Sequence, residues 1–307
     1  MDKKTAIVFA SFVISRPKIK KMAKKIQDSD WKYNLLLAYT NLFHTRRAYR
    51  RFEVHGAKNL PKDGAMIFGV NHSNTLMDAL VMCASNHQKK VFVARGDIFK
   101  NPIVAKILTF LRILPIFRMR NGVDAVRHND ESMNKAVDVV RDRVQLYIFP
   151  EGTHRTKHSL LRMSKGIFHI ALDANSQFGE GTPIYIVPTA IEYGDYFRYR
   201  STVLLSYGKP VNVSEFVKAH PEDSEPVIIN KLREILTERM SELISYLPDN
   251  DDYDAAWEFV KLRAGKQDGS LTRRFARNRD AITELRQMEQ NEPNRAQTLL
   301  RKADEFR

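Results

Sequence analysis

Two short stretches carry residue types suited to moving a proton and to holding a ligand. In the first, an apolar run from Ala65 to Val70 is followed by Asn71 and His72, and an aspartate, Asp78, comes six residues after the histidine. Six residues on an ideal helix turn through about 600°, which leaves the second side chain about 120° from the first. His72 and Asp78 therefore meet only if the helix begins after the histidine, with Ser73 or Asn74 as its N-cap and His72 in the entering loop. A carboxylate so placed fixes the imidazole tautomer and raises the basicity of the nitrogen that faces a substrate. In the second stretch, Gln145 to Phe149 reads as a strand. It runs into Pro150, Glu151, Gly152, Thr153, His154 and Arg155. That polar turn, with a flexible glycine at the carboxyl end of a buried strand, stands where α/β folds place ligands. Between the two lies Leu114 to Phe117, followed by Arg118 and Arg120, whose guanidinium groups are suited to binding a phosphate.

Taken together, these residues resemble the glycerol-3-phosphate and lysophosphatidic acid acyltransferase family. Asn71, His72 and Asp78 match its Asn-His…Asp motif, and Phe117, Arg118 and Arg120 match its second motif. Phe149 to Thr153 match its Phe-Pro-Glu-Gly-Thr, and Val187-Pro188 match the strand end that forms its fourth. Five residues separate His72 from Asp78 where the family usually has four, a spacing similar to the fungal-type glycerol-3-phosphate acyltransferases. His154 also stands between Thr153 and Arg155, where the family often has arginine directly. The resemblance implies direct acyl transfer from acyl-CoA or acyl carrier protein to a hydroxyl of 1-acylglycerol-3-phosphate (lysophosphatidic acid) or glycerol-3-phosphate, in phospholipid biosynthesis. His72 would be the general base and Asp78 its partner. Backbone donors at Asn74 to Leu76 would face the developing oxyanion. Arg118, Arg120 and Arg155 would hold the acceptor phosphate, and Glu151, Gly152 and Thr153 would line its glycerol backbone. It implies no metal and no bound cofactor.

The elements that must position these groups follow from the hydropathy pattern. From Phe52 onward short β-rich runs alternate with helical ones, as in an α/β domain, and the resemblance implies a mixed sheet flanked by helices. Expected strands are 52–55, 65–70, 90–94, 114–117, 145–149, 184–188 and 203–207; expected helices are 75–85, 102–111, 131–143 and 164–174. The acyltransferase domain is expected over residues 52–213, after an N-terminal helical segment, 1–51, and before a C-terminal helical region, 214–307. The last residues still read as helix, without a terminating glycine or proline, as if cut short of a natural end.

Composition narrows the partners. With 307 residues, 43% of them hydrophobic, the chain can bury a substantial core. Its formal net charge of +14 favours anionic partners. No Arg-Gly tract, zinc-ligand spacing or aromatic nucleic-acid motif accompanies that charge, which argues against nucleic acid. The single cysteine, Cys83, cannot form an intramolecular disulfide, and this fits a reducing compartment. The apolar stretches 5–15 and 102–117 fall short of the ~18 uncharged residues a spanning helix needs. From Lys18 to Arg51, basic and aromatic residues alternate with aliphatic ones, a pattern suited either to an anionic bilayer surface or to packing on the protein's own core. The expected site of action is thus the cytoplasmic face of a membrane, peripherally bound. Two rivals stand beside this reading: a hydrolase or transacylase using Ser73 or Cys83 as nucleophile, acting on other lyso-lipids, and a catalytically silent membrane-binding or scaffolding protein.

Overall fold

Runs rich in valine, isoleucine and aromatic residues build the sheet, because such side chains fill a pleated surface covered on both sides. The structure, a computed structural model, describes residues 25–28, 30–116, 123–265 and 270–306. Helix α1 (Trp31–Tyr39) is started by Asp30, whose side chain accepts from the amides of Lys32 and Tyr33. It continues as a π-helical turn and one short α-turn to Ala48. There follow β1 (Tyr49–His55), β2 (Ala65–Val70), α2 (Thr75–Ala84), β3 (Lys90–Arg95), α3 (Pro102–Phe110), β4 (Ile113–Ile116), α4 (Val123–Arg141), β5 (Gln145–Ile148) and α5 (Gly166–Phe178). The sheet is completed by β6 (Ile184–Tyr193), β7 (Ser201–Tyr207) and β8 (Val211–Asn212). The rest is helical: α6 (Val213–Ala219), α7 (Glu225–Ser241), α8 (Tyr253–Ala264), α9 (Leu271–Asn291) and α10 (Pro293–Asp304).

The eight strands form one mixed sheet in the order β1-β7-β6-β2-β5-β3-β4, with β8 paired to β6. Strands β6, β2, β5, β3 and β4 are mutually parallel, and β7 and β8 run antiparallel to β6. The period-two alternation sorts side chains onto two faces. Ala65, Ile67, Val91, Leu146, Ile148, Ile184 and Ile186 face an aliphatic layer covered by α4, α5 and α7. Phe68, Val70, Phe92, Tyr147, Val187, Tyr193 and Tyr207 face an aromatic layer that includes Val81 and Met82 of α2. Full burial of one such aliphatic side chain stabilises the fold by about 1.5–3 kcal/mol, so the sheet is held by both layers. A third cluster joins α8, α9 and α10 through Val260, Ile282, Leu285 and Leu300.

Several elements differ from the sequence-based expectation. Strand β6 does not stop at Pro188 but runs on to Tyr193. The Pro188 carbonyl accepts from Gly208 N, so its missing N–H lies on the same edge. There β8 pairing ends at Ile186 and β7 pairing begins at Thr189, so no ladder bond is lost. Helix α4 starts at Val123, eight residues before the expected Glu131, and the predicted helical reading to Arg51 gives way to β1 at Tyr49. Among the described residues no helix is long and apolar enough to cross a membrane.

Candidate active site

Parallel pairing of β2 with β5 and β6 brings the two chemistry-bearing loops to one end of the sheet. Asn71, directly after β2, is buried. Its amide donates to Ile191 O at 3.0 Å and its carbonyl accepts from Ile191 N at 2.7 Å, so the loop entering α2 is pinned to β6. His72 follows, mostly buried, with its ring stacked on Phe149 at 4.3 Å between centroids and edge-on to His154 at 5.7 Å.

The histidine and the aspartate meet. His72 Nδ1 lies 2.8 Å from Asp78 Oδ2. Asp78 is wholly buried and accepts two further hydrogen bonds, from Asn74 N at 2.8 Å and from the Tyr193 hydroxyl at 2.7 Å. A buried carboxylate with three donors has a fixed position, which a general-base pair requires. With Nδ1 donating to Asp78, Nε2 carries the lone pair. Thr75 opens α2 with φ 46, a left-handed conformation uncommon for a β-branched residue. Asn74 supplies no side-chain cap to the helix. Its Nδ2 donates to Tyr196 O instead, and Asp78 takes its amide. The oxyanion role expected of Asn74 to Leu76 therefore excludes the Asn74 N–H, already committed to Asp78.

Tyr193 was not singled out from the sequence. Burial, and next the adjacent Asp78, push its hydroxyl well above the ordinary tyrosine range, so it stays protonated and donates. The rival nucleophiles are poorly placed. Ser73 is buried, and the Cys83 thiol is pushed up to about 11 by burial, which leaves almost no thiolate at neutral pH.

The Phe149–Arg155 turn wraps around the same loop. Gly152 sits at φ 67, the left-handed region in which glycine carries no penalty. Glu151 does not point freely into space: Oε1 accepts from His72 N at 3.0 Å and Oε2 from Leu161 N at 2.9 Å. Burial raises its carboxyl above the usual range, opposed by those two amide bonds. Glu151 thus positions the histidine loop. Thr153 and His154 are exposed. Arg155 closes the turn with its N donating to His72 O at 3.1 Å. Its guanidinium donates to Asp249 and, at 2.7 Å, to Ser159 Oγ. Lys157 Nζ donates to the same Asp249 at 2.6 Å. Phe117, Arg118 and Arg120 lie outside the described residues. The strand before them, β4, forms the sheet edge, with β3 between it and β5.

Residues 51–192 match the family model described as Acyltransferase. The chain is 24% identical over 195 residues to a chloroplastic 1-acyl-sn-glycerol-3-phosphate acyltransferase of Arabidopsis thaliana, covering 62% of this chain and 50% of the relative. It is 26% identical over 178 residues to 1-acyl-sn-glycerol-3-phosphate acyltransferase alpha of Mus musculus, covering 57% and 58%. A third relative, glycerol-3-phosphate O-acyltransferase 2 of Saccharomyces cerevisiae, is 27% identical over 123 residues, 40% of this chain and 16% of the relative. The chain thus spans about half the length of the first two. The crystal structure of a 1-acyl-sn-glycerophosphate acyltransferase, PlsC, from Thermotoga maritima is similar with a TM-score of 0.46 and 22% identity, over 78% of this chain and 88% of that one. The matched segment, similar to the acyltransferase family, holds both loops built around His72 and Asp78.

Proposed function

We propose that the protein transfers a fatty acyl group from a thioester, acyl-CoA or acyl carrier protein, to a hydroxyl of 1-acylglycerol-3-phosphate or glycerol-3-phosphate. The observation that carries this reading is the His72–Asp78 pair, 2.8 Å apart and locked by Asn74 N and Tyr193. His72 Nε2 takes the proton of the acceptor hydroxyl as its oxygen attacks the thioester carbonyl carbon, and Asp78 stabilises the imidazolium. The tetrahedral intermediate expels the thiolate with cleavage of the C–S bond. The imidazolium returns the proton to sulfur, leaving an ester and a free thiol. The acceptor phosphate is held by Arg155, with Arg118 and Arg120 assigned to it by motif, while Glu151 orders the loop. No residue on this path needs a metal or a bound cofactor. Transfer from labelled acyl-CoA and acyl carrier protein to a panel of acceptors tests the reading. His72→Ala should cost on the order of 10² to 10⁴ in rate while the circular dichroism spectrum stays that of wild type. A folded His72→Ala variant with wild-type turnover would overturn the assignment.

The same proposal places the chain peripherally at the cytoplasmic face of an anionic membrane. Trp31, Leu35, Leu36 and Tyr39 of α1 and Ile103, Val104, Ile107 and Phe110 of α3 are exposed, and the two helices are joined by the Tyr33–Phe110 ring contact at 6.4 Å. Apolar side chains gathered on two neighbouring helices, on a chain of net charge +14, suit insertion into a lipid interface. Lys18 to Lys24, part of the basic segment assigned to this role, lie outside the described residues. Leu35→Glu together with Ile107→Glu should release the protein from anionic vesicles in a sedimentation assay; undiminished vesicle binding would exclude this surface.

A further inference from the structure

The loop between α7 and α8, Pro248-Asp249-Asn250-Asp251-Asp252, comes from outside the family-matched segment, yet it reaches the catalytic turn. It is fastened there on both sides of Asp249. Leu247 N donates to His158 O at 2.7 Å, and the Tyr253 hydroxyl accepts from His158 N at 2.7 Å. Asp249 is thereby delivered to two cations at once, the Arg155 guanidinium and Lys157 Nζ. Lys157 is held further by the Tyr253 ring, 4.6 Å from its centroid. All three side chains retain solvent access, at 23% for Arg155, 34% for Asp249 and 37% for Lys157, so an incoming anion can reach them.

We propose that Asp249 is a specificity-determining residue: its carboxylate occupies the Arg155–Lys157 pair until an acceptor bearing a phosphate monoester displaces it. The inference rests on the phosphate-binding role given to Arg155 above. Arg155 and Lys157 share the Asp249 carboxylate as their hydrogen-bonded anion, while Glu151 acts on Arg155 through space. A phosphate monoester carries about −1.5 to −2 at neutral pH and neutralises both cations on exchange. A phosphodiester, with one negative charge, gains little over the carboxylate already present. Asp249 is thus a competitor supplied by the chain itself, and only the more highly charged acceptor displaces it with profit in Coulomb energy.

The test uses the full chain. Inorganic phosphate is titrated calorimetrically, and acceptor KM values are measured for a monoester, lysophosphatidate, and a diester, lysophosphatidylglycerol. Asp249→Asn should tighten inorganic phosphate about tenfold and lower the lysophosphatidate KM in parallel. It should also narrow the monoester-to-diester preference and leave the acyl-donor KM unchanged. Asp249→Glu, which keeps the charge, should behave as wild type. If Asp249→Asn does not fold, Asp249→Ser takes its place. Unchanged or weaker phosphate binding on loss of the carboxylate overturns the inference, since Asp249 would then merely position Arg155. Arg155→Gln separates the two readings. If it leaves phosphate affinity intact, the phosphate role of Arg155 itself fails; if it weakens phosphate while Asp249→Asn has no effect, only the competitor role fails.

Discussion

Glu192 and Tyr193 are neighbours on β6 and point to opposite faces of the sheet, and each touches a buried carboxylate chemistry of a different kind. On the aromatic face, the Tyr193 hydroxyl donates to Asp78, which also receives His72 and the Asn74 amide. On the opposite face, Glu192 is itself the acid, mostly shielded from solvent. It accepts from Ser245 Oγ at 2.5 Å and Ser245 N at 3.2 Å, while Asn278 donates to the same Ser245 hydroxyl. Burial pushes the Glu192 carboxyl up to about 7, with the Ser245 bonds and then Arg274 opposing it. Two carboxylates packed beneath the surface therefore have two outcomes. The carboxylate that takes its bonds from the His72 loop is paired with an imidazole; the one that takes them from Ser245, near the C-terminal helices, fastens those helices to the sheet. What separates them is which chain segments supply the donors.

The larger test of this contrast is pH dependence. An unfolded glutamate titrates near 4.3, and folding raises Glu192 to about 7, so between those values the folded chain binds the extra proton. Stability should be greatest below about pH 4.3 as far as this group is concerned, fall as pH rises towards 7, and level off above. The full difference is on the order of 3 kcal/mol. Glu192→Gln, which cannot ionise but still offers Ser245 a carbonyl, should flatten that slope between pH 5 and 8 in urea denaturation. The same slope in both proteins would show that the C-terminal anchor does not titrate.

The smaller test is on the other face. Tyr193→Phe removes one hydrogen bond to a charged group, worth about 1.5–3 kcal/mol, which corresponds to roughly ten- to a hundredfold in turnover if the bond matters in the transition state. Turnover should fall and KM for both substrates stay near wild type. An unaltered turnover would mean that Asn74 N and the helix hold Asp78 without help.

Much of this was legible in the sequence because it is local. The alternation in Ala65–Val70 and Gln145–Ile148, and the loop residues directly after each, placed His72, Glu151 and Arg155 at strand ends. The meeting of His72 with Asp78 required only that the helix begin after Ser73. Non-local partners left no such signal. Tyr193 is 115 residues from Asp78 and reads as any strand aromatic. The extension of β6 beyond Pro188 was hidden because a proline ends a strand unless its missing amide falls in a gap between partners. The edge position of β4 depends on strand order, which periodicity does not carry. Asp249 reads as a turn residue between helices, and only the docking of Leu247 and Tyr253 on His158 reveals its partner.

Strand β6 has one more consequence. The family match ends at residue 192, inside this strand, where Ile184–Thr189 lies against β2 and Thr189–Tyr193 against β7. Ancestry and mechanics therefore divide the molecule at different points. A fragment severed where the inherited pattern stops would lose β7, β8 and the apolar face of α7, from Ile228 to Met240, that closes the aliphatic layer. It would keep His72 and Asp78 but lose Tyr193, so the matched segment is shorter than the smallest one able to hold this histidine–aspartate pair in place.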